Sequence, residues 1–202
     1  MKSLFNYCCV FVAMSFICVS CNSGGSDSAK DAKDSNAVKM DSSGTADHAA
    51  ATVPASVSKS DASFAVNAAM GGMEEVQFGR LAGQKASAQD VKDFGAMMVK
   101  DHTMGGEKLK AVAASKNLTL PDSLSADMQK EMADLQAKNG KDFDKAYMSM
   151  MVDDHKKDIK DFEDESKNGS DADIRGFADS SLHMLHMHLD AAEKCHNMMK
   201  KM

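Results

Sequence analysis

A hydrophobic stripe of helical period recurs four times between residues 61 and 202, and each copy is broken near its middle by a side chain that can bind a metal. At about 100° per residue, Phe64, Ala68, Gly71, Glu75, Phe78 and Ala82 share one face. Val91, Gly95, Met98, His102, Gly105 and Leu109 share a second. Tyr147, Met151, His155, Asp158 and Phe162 form a third, and Ile174, Ala178, Ser181, Leu185, His188 and Ala192 a fourth. A strand would scatter these positions over both of its faces. Two prolines and a 5% aromatic content leave little material for a many-turned sheet.

Caps and breakers set the expected boundaries. Asp61 is read as the cap of a helix running to about Ala86, and Ser87 as the start of one running to about Lys116. Asn117 to Leu124, with Pro121, reads as a loop, and Ser125 begins a short helix that Asn139-Gly140 stops. Lys141 to Lys167 is a third long helix, ended by Asn168-Gly169. Ser170 or Asp171 caps a fourth that runs nearly to the C-terminus. Short connections at 86–88 and 168–170 make two antiparallel hairpins. The expected fold is therefore all-α, a four-helix bundle over 61–202 with a short extra helix in its crossover.

Glu75, His102, His155 and His188 interrupt the stripes. A buried carboxylate or imidazole is costly unless it is paired, hydrogen-bonded or bound to a metal. Counting from the turns, Glu75 and His102 differ by only ~5 Å in height, and His155 and His188 by ~8 Å. One layer of the bundle can hold Glu75 and His102, with His155 and His188 facing them from the other hairpin, whose height relative to the first these counts leave open. Three imidazoles and a carboxylate suit a single Zn, Cu or Fe ion. None of these histidines is part of a Glu-x-x-His pair, which disfavours a di-iron centre. Asp101 and Asp154 each precede a histidine and can orient one by hydrogen bonding from behind the ligands. The competing reading is structural: the same four side chains pair with one another and fix helix register.

Two internal echoes accompany these positions. Met97 to His102 matches Met150 to His155 at five of six places. Met70-Gly71-Gly72 is echoed by Met104-Gly105-Gly106. Glycine inside a helix costs ~1 kcal/mol relative to alanine. Gly71 and Gly105 are therefore expected to permit close helix approach or to leave room for a ligand. A second candidate site is the C-terminal tail, where His183, His186, Met187, Cys195 and His196 offer soft ligands for Cu(I). Its methionines serve equally as core filler.

The N-terminus sets the compartment. Met1-Lys2 precedes an apolar run from Leu4 to Val19, short for a spanning helix. Residues 1–20 read as a lipoprotein-type signal peptide, with Cys21 the lipidated residue. Residues 21–60, rich in Ser, Gly, Ala, Asp and Lys, read as a disordered tether. Cys195 is then the lone thiol of the domain, so no intramolecular disulfide is expected. A net charge of −6 argues against nucleic acid as a partner. The expected partners are the membrane, through the anchor, and an envelope protein. No nucleophile elbow, phosphate loop or dinucleotide fingerprint occurs, so no reaction is assigned.

Asp61 to Ala69, Gly72-Met73-Glu74-Glu75-Val76, Met98-Val99-Lys100-Asp101-His102, Phe143 to Met148, Met151-Val152-Asp153-Asp154-His155 and Phe177-Ala178, in this order and spacing, resemble the bacterial family called domain of unknown function 4142. The resemblance covers about residues 60–195. It implies an exported ferritin-like helical bundle of two antiparallel hairpins, with Glu75, His102, His155 and His188 on recurring polar positions. The resemblance implies fold and compartment rather than a role; the role expected for the chain is a non-enzymatic cell-envelope binding or stress-related module, at the outer membrane or in the periplasm. The alternatives are metal storage or oxidoreductase chemistry at the core site, and copper binding by the tail.

Overall fold

The computed structural model describes residues 27–42 and 57–201. Among them are six helices and no strand: α1 Ser28–Ser42, α2 Lys59–Lys85, α3 Gln89–Ser115, α4 Ala126–Gln136, α5 Gly140–Asn168 and α6 Ala172–Lys201. The four long helices follow the four stripes. α2 packs along α3, α5 packs along α6, and the two hairpins meet through α3 on α6 and α2 on α5.

Ser58, not Asp61, caps α2: its hydroxyl accepts the Asp61 amide at 3.1 Å. Asp61 is buried and reaches across the molecule. Its carboxylate accepts the amides of Ser170 (3.1 and 3.2 Å) and Asp171 (2.7 Å), in the turn before α6. Asp144, at the start of α5, does the same for the other turn. It accepts the amides of Ser87 and Ala88, each at 2.9 Å, and the Ser87 hydroxyl. Each hairpin turn is thus held by a buried aspartate of the opposite hairpin, which satisfies amides that the helices themselves leave unpaired. Local capping rules do not reveal such partners, because they lie far away in sequence. Asp171 does cap α6, accepting from Asp173 and Ile174, and Ser125 caps α4. Asn117 ends α3 in the left-handed region at φ 53°, with the Leu118 amide bonded back to Ala113 O at 2.9 Å.

The close crossing of α2 and α3 falls on Gly79 and Gly95. A Cβ on Gly79 would stand 2.6 Å from the Gly95 carbonyl oxygen, and one on Gly95 would stand 2.7 Å from that of Gly79. Gly71 and Gly105 do not serve this purpose: a Cβ on Gly105 meets nothing within 4 Å.

Part of the segment expected to be disordered is instead α1. Asn36 is buried and forms a two-way bond with the Thr119 backbone, donating at 3.0 Å and accepting at 2.7 Å. Lys39 donates to Asn117 O and to Thr119 Oγ1, and Ser28 pairs with Asp122. Composition is silent here because polar bonds to one distant loop, together with packing on α2, hold a helix that has no large apolar face of its own. The signal segment and Cys21 lie outside the described residues. Among the described residues no helix is long and apolar enough to cross a membrane.

The apolar core forms two clusters. One gathers Phe78, Phe94, Met98, Phe143, Tyr147 and Met151 near the α2–α3 turn. The other gathers Phe64, Leu109, Ile159, Phe162, Ile174 and Phe177 towards the opposite end. Glu75, His102, His155 and His188 occupy the stretch of each long helix between the two clusters.

Candidate metal centre

All four interrupting side chains are buried and face one another. Glu75 Oε2 lies 2.7 Å from His102 Nδ1, and Glu75 Oε1 lies 3.4 Å from His155 Nε2. His102 Nε2 lies 3.2 Å from His188 Nδ1. The three imidazole centroids form a triangle with sides of 5.1, 5.4 and 5.8 Å. One ring nitrogen from each histidine lies within 4.8 Å of the others, the one such group of metal-ligating atoms among the described residues.

Two anchors decide the tautomers. His155 Nδ1 lies 2.8 Å from Met151 O, an atom that can only accept, so Nδ1 carries the proton and Nε2 presents a lone pair. His188 Nε2 donates to Asp101 Oδ2 at 3.1 Å, so its Nδ1 presents a lone pair as well. His102 then has no good choice. With its proton on Nδ1, its Nε2 lone pair faces that of His188; with its proton on Nε2, its Nδ1 lone pair faces Glu75. The contact between His155 Nε2 and Glu75 Oε1 is a second place where acceptor meets acceptor. Glu75 Oε1 and His155 Nε2 are buried without a hydrogen-bond partner, and Glu75 Oε2 has only the His102 Nδ1 contact. A single added proton relieves one of these contacts and leaves the other. A single divalent cation relieves both.

The electrostatics favour neutral imidazoles. Burial pushes His102 down to about 4, and burial also lowers His155 and His188 despite the acids beside them. Burial raises Glu75 to about 7, with His155 opposing. Neutral imidazole is the form that ligates metal.

The structure therefore brings together Glu75, His102, His155 and His188. Asp101 acts as an orienting group, but on His188 across the helix interface rather than on its neighbour His102. Asp154 stands beside Glu74 instead of on a histidine. Burial, then Glu75, raises Asp154 to about 7, while burial, then Asp154, raises Glu74 to about 8. The tail residues are spread apart. His183, His186 and Met187 are exposed along α6. Cys195 is buried in the core, with its thiol pushed up to about 11 by burial. His196 is half-buried in a groove lined by Asp142, Lys145 and Ser149. One participant carried no signal of a site in the sequence: the Met151 carbonyl, which acts through its backbone.

No curated protein and no solved structure matches the chain. A family model described as a domain of unknown function does match, over residues 45–195, a span that contains all four residues of the site. The chain belongs to that family, DUF4142.

Proposed function

We propose that this protein is a metal-binding module of the cell envelope, a ferritin-like four-helix bundle that holds one transition-metal ion through His102, His155 and His188, with Glu75 as the fourth ligand. The supporting observation is the crowding of buried acceptors around Glu75: neither neutral tautomer of His102 satisfies both Glu75 and His188, and His155 Nε2 faces Glu75 Oε1, two conflicts that one cation relieves. Nitrogen-rich ligation without a thiolate suits Zn²⁺, Fe²⁺ or Cu²⁺. In a tetrahedral site the ligand nitrogens stand ~3.3 Å apart. The 3.2 Å between His102 and His188 already meets that, and the wider spacings contract on binding. One carboxylate among three imidazoles supports one ion rather than a carboxylate-bridged pair. Lipidation at Cys21 anchors the module to the envelope.

Metal content by mass spectrometry of the full chain, purified and then reconstituted separately with Fe, Zn and Cu, tests this. About one ion per chain, falling to background in His155→Ala, is expected. Absence of stoichiometric metal under every condition makes the four side chains a structural polar layer.

A further inference from the structure

Resting on that metal reading, we infer that the ion enters through one cavity, and that Asp158 is the carboxylate that passes it to Glu75 and His102. A cavity of about 330 Å³ has these three side chains in its wall. Glu75 and His102 are only 2% and 7% exposed, so they form its inner end. His155 and His188 are fully buried and are not in its wall. An ion in the cavity therefore meets two of the four ligands first. The other two stand directly behind them: His155 Nε2 lies 3.4 Å from Glu75 Oε1, and His188 Nδ1 lies 3.2 Å from His102 Nε2. Glu75 Oε1 has no hydrogen-bond partner to hold it back.

The charges along the wall favour a cation. Arg80, Glu107 and Lys110 are exposed, at the outer end, where salt and water screen them. Further in, the ionisable groups are Asp158, Glu75 and His102: two carboxyl groups and an imidazole that burial keeps neutral. Asp158 stands on α5 about one turn after His155. Its Oδ2 lies 3.7 Å from where a Cβ on Gly71 would be, one turn before Glu75 on α2. Burial, then Glu75, raises the Asp158 carboxyl to about 7, and a cation between the two relieves their repulsion. The rest of the wall is largely apolar, with Leu109, Leu120, Phe162 and Phe177. Such low-dielectric walls focus the field of the inner carboxylates.

The cavity also has the room. It holds on the order of ten water molecules at ~30 Å³ each, enough for a divalent ion with a first shell of about six. Gly72 on α2, with Gly105 and Gly106 on α3, keeps it open. A Cβ on Gly105 or Gly106 meets nothing within 4 Å, and one on Gly72 would stand 4.0 Å from His102 Nδ1, on the approach to that ligand. Packing does not require glycine at any of the three, and each weakens its helix relative to alanine.

Stopped-flow mixing of the metal-free full chain with Co(II), followed through the visible bands of the bound ion, tests this. Uptake in Asp158→Asn should be at least about ten-fold slower than in the parent, the lower end of what focused charge adds to an on-rate. Gly105→Leu and Gly106→Leu, which fill the cavity without altering charge, should slow it as well. Release to EDTA should slow with uptake in all three variants. The spectrum of the loaded protein should stay that of the parent, because the four final ligands are unchanged. Asp179→Asn, which removes an exposed acid outside the cavity, should load at the parental rate. Parental uptake in Asp158→Asn or in either leucine variant, or equal slowing by Asp179→Asn, overturns the inference and leaves the metal reading standing. So does slower uptake without slower release, which is a loss of affinity rather than of a path. Failure of the metal reading looks different: the parent itself shows no bands of bound Co(II), and the inference falls with it.

Discussion

His102 is the residue on which the site turns, because neither of its neutral tautomers satisfies both neighbours. Sequence alone places it on an apolar stripe at the right height, since period and turn count are local properties. It does not reveal the tautomer conflict, which depends on the Met151 carbonyl and on Asp101 reaching across to α6. Glu165 shows the same physics away from the site. It is buried, its Oε1 has no partner, and Gly169 closes over it so tightly that a Cβ there would overlap that oxygen. Burial, then Asp61, raises its carboxyl to about 7. A carboxyl with a raised folded pKa contributes stability that is fully present below its unfolded value near 4.5 and is lost as pH rises through about 7. Urea denaturation of Glu165→Gln should therefore match the parent near pH 4.5. At pH 8 it should be more stable, by on the order of 1 kcal/mol after allowing for solvent screening. An equal difference at both pH values would contradict this.

Helices were the most legible level. The expected long helices begin and end within a few residues of α2, α3, α5 and α6, and local signals help set those ends: Asp171 caps α6 and Asn117 stops α3. The cross-molecular caps by Asp61 and Asp144 were not legible, and neither was α1, since all three depend on partners far away in sequence. The glycines divide in the same way. Helical period puts Gly71, Gly95 and Gly105 on inward faces, but only helix packing decides which one a neighbouring backbone touches. Gly79→Ala should force α2 and α3 apart and cost about 1–3 kcal/mol. Gly105→Ala, with space around it, should stabilise by up to about 1 kcal/mol. Chemical denaturation of the two variants side by side checks the contrast; equal destabilisation would mean that α2 and α3 cross elsewhere.

For the molecule as a whole, the ordering of α1 changes how the proposed anchor acts. Six residues separate Cys21 from Ser28, and a fully extended chain of that length spans only about 20 Å. The helical domain, clamped to α1 through the 117–122 loop, would stand close to the bilayer rather than at the end of a long tether. Cell fractionation checks the anchor. The parent should sediment with membranes and Cys21→Ser should appear in the soluble fraction; identical partitioning would rule out lipidation at that residue.

The polar layer between two apolar clusters is the feature that ties fold to proposed function. X-ray absorption at the K-edge of the metal that the full chain retains reads that layer directly. About three imidazole nitrogens near ~2.0–2.1 Å, with the outer-shell scattering of intact rings and one oxygen ligand, is the predicted result. A shell of oxygen ligands alone, unchanged in His155→Ala, would show a surface-bound ion and leave His102, His155 and His188 as structural residues.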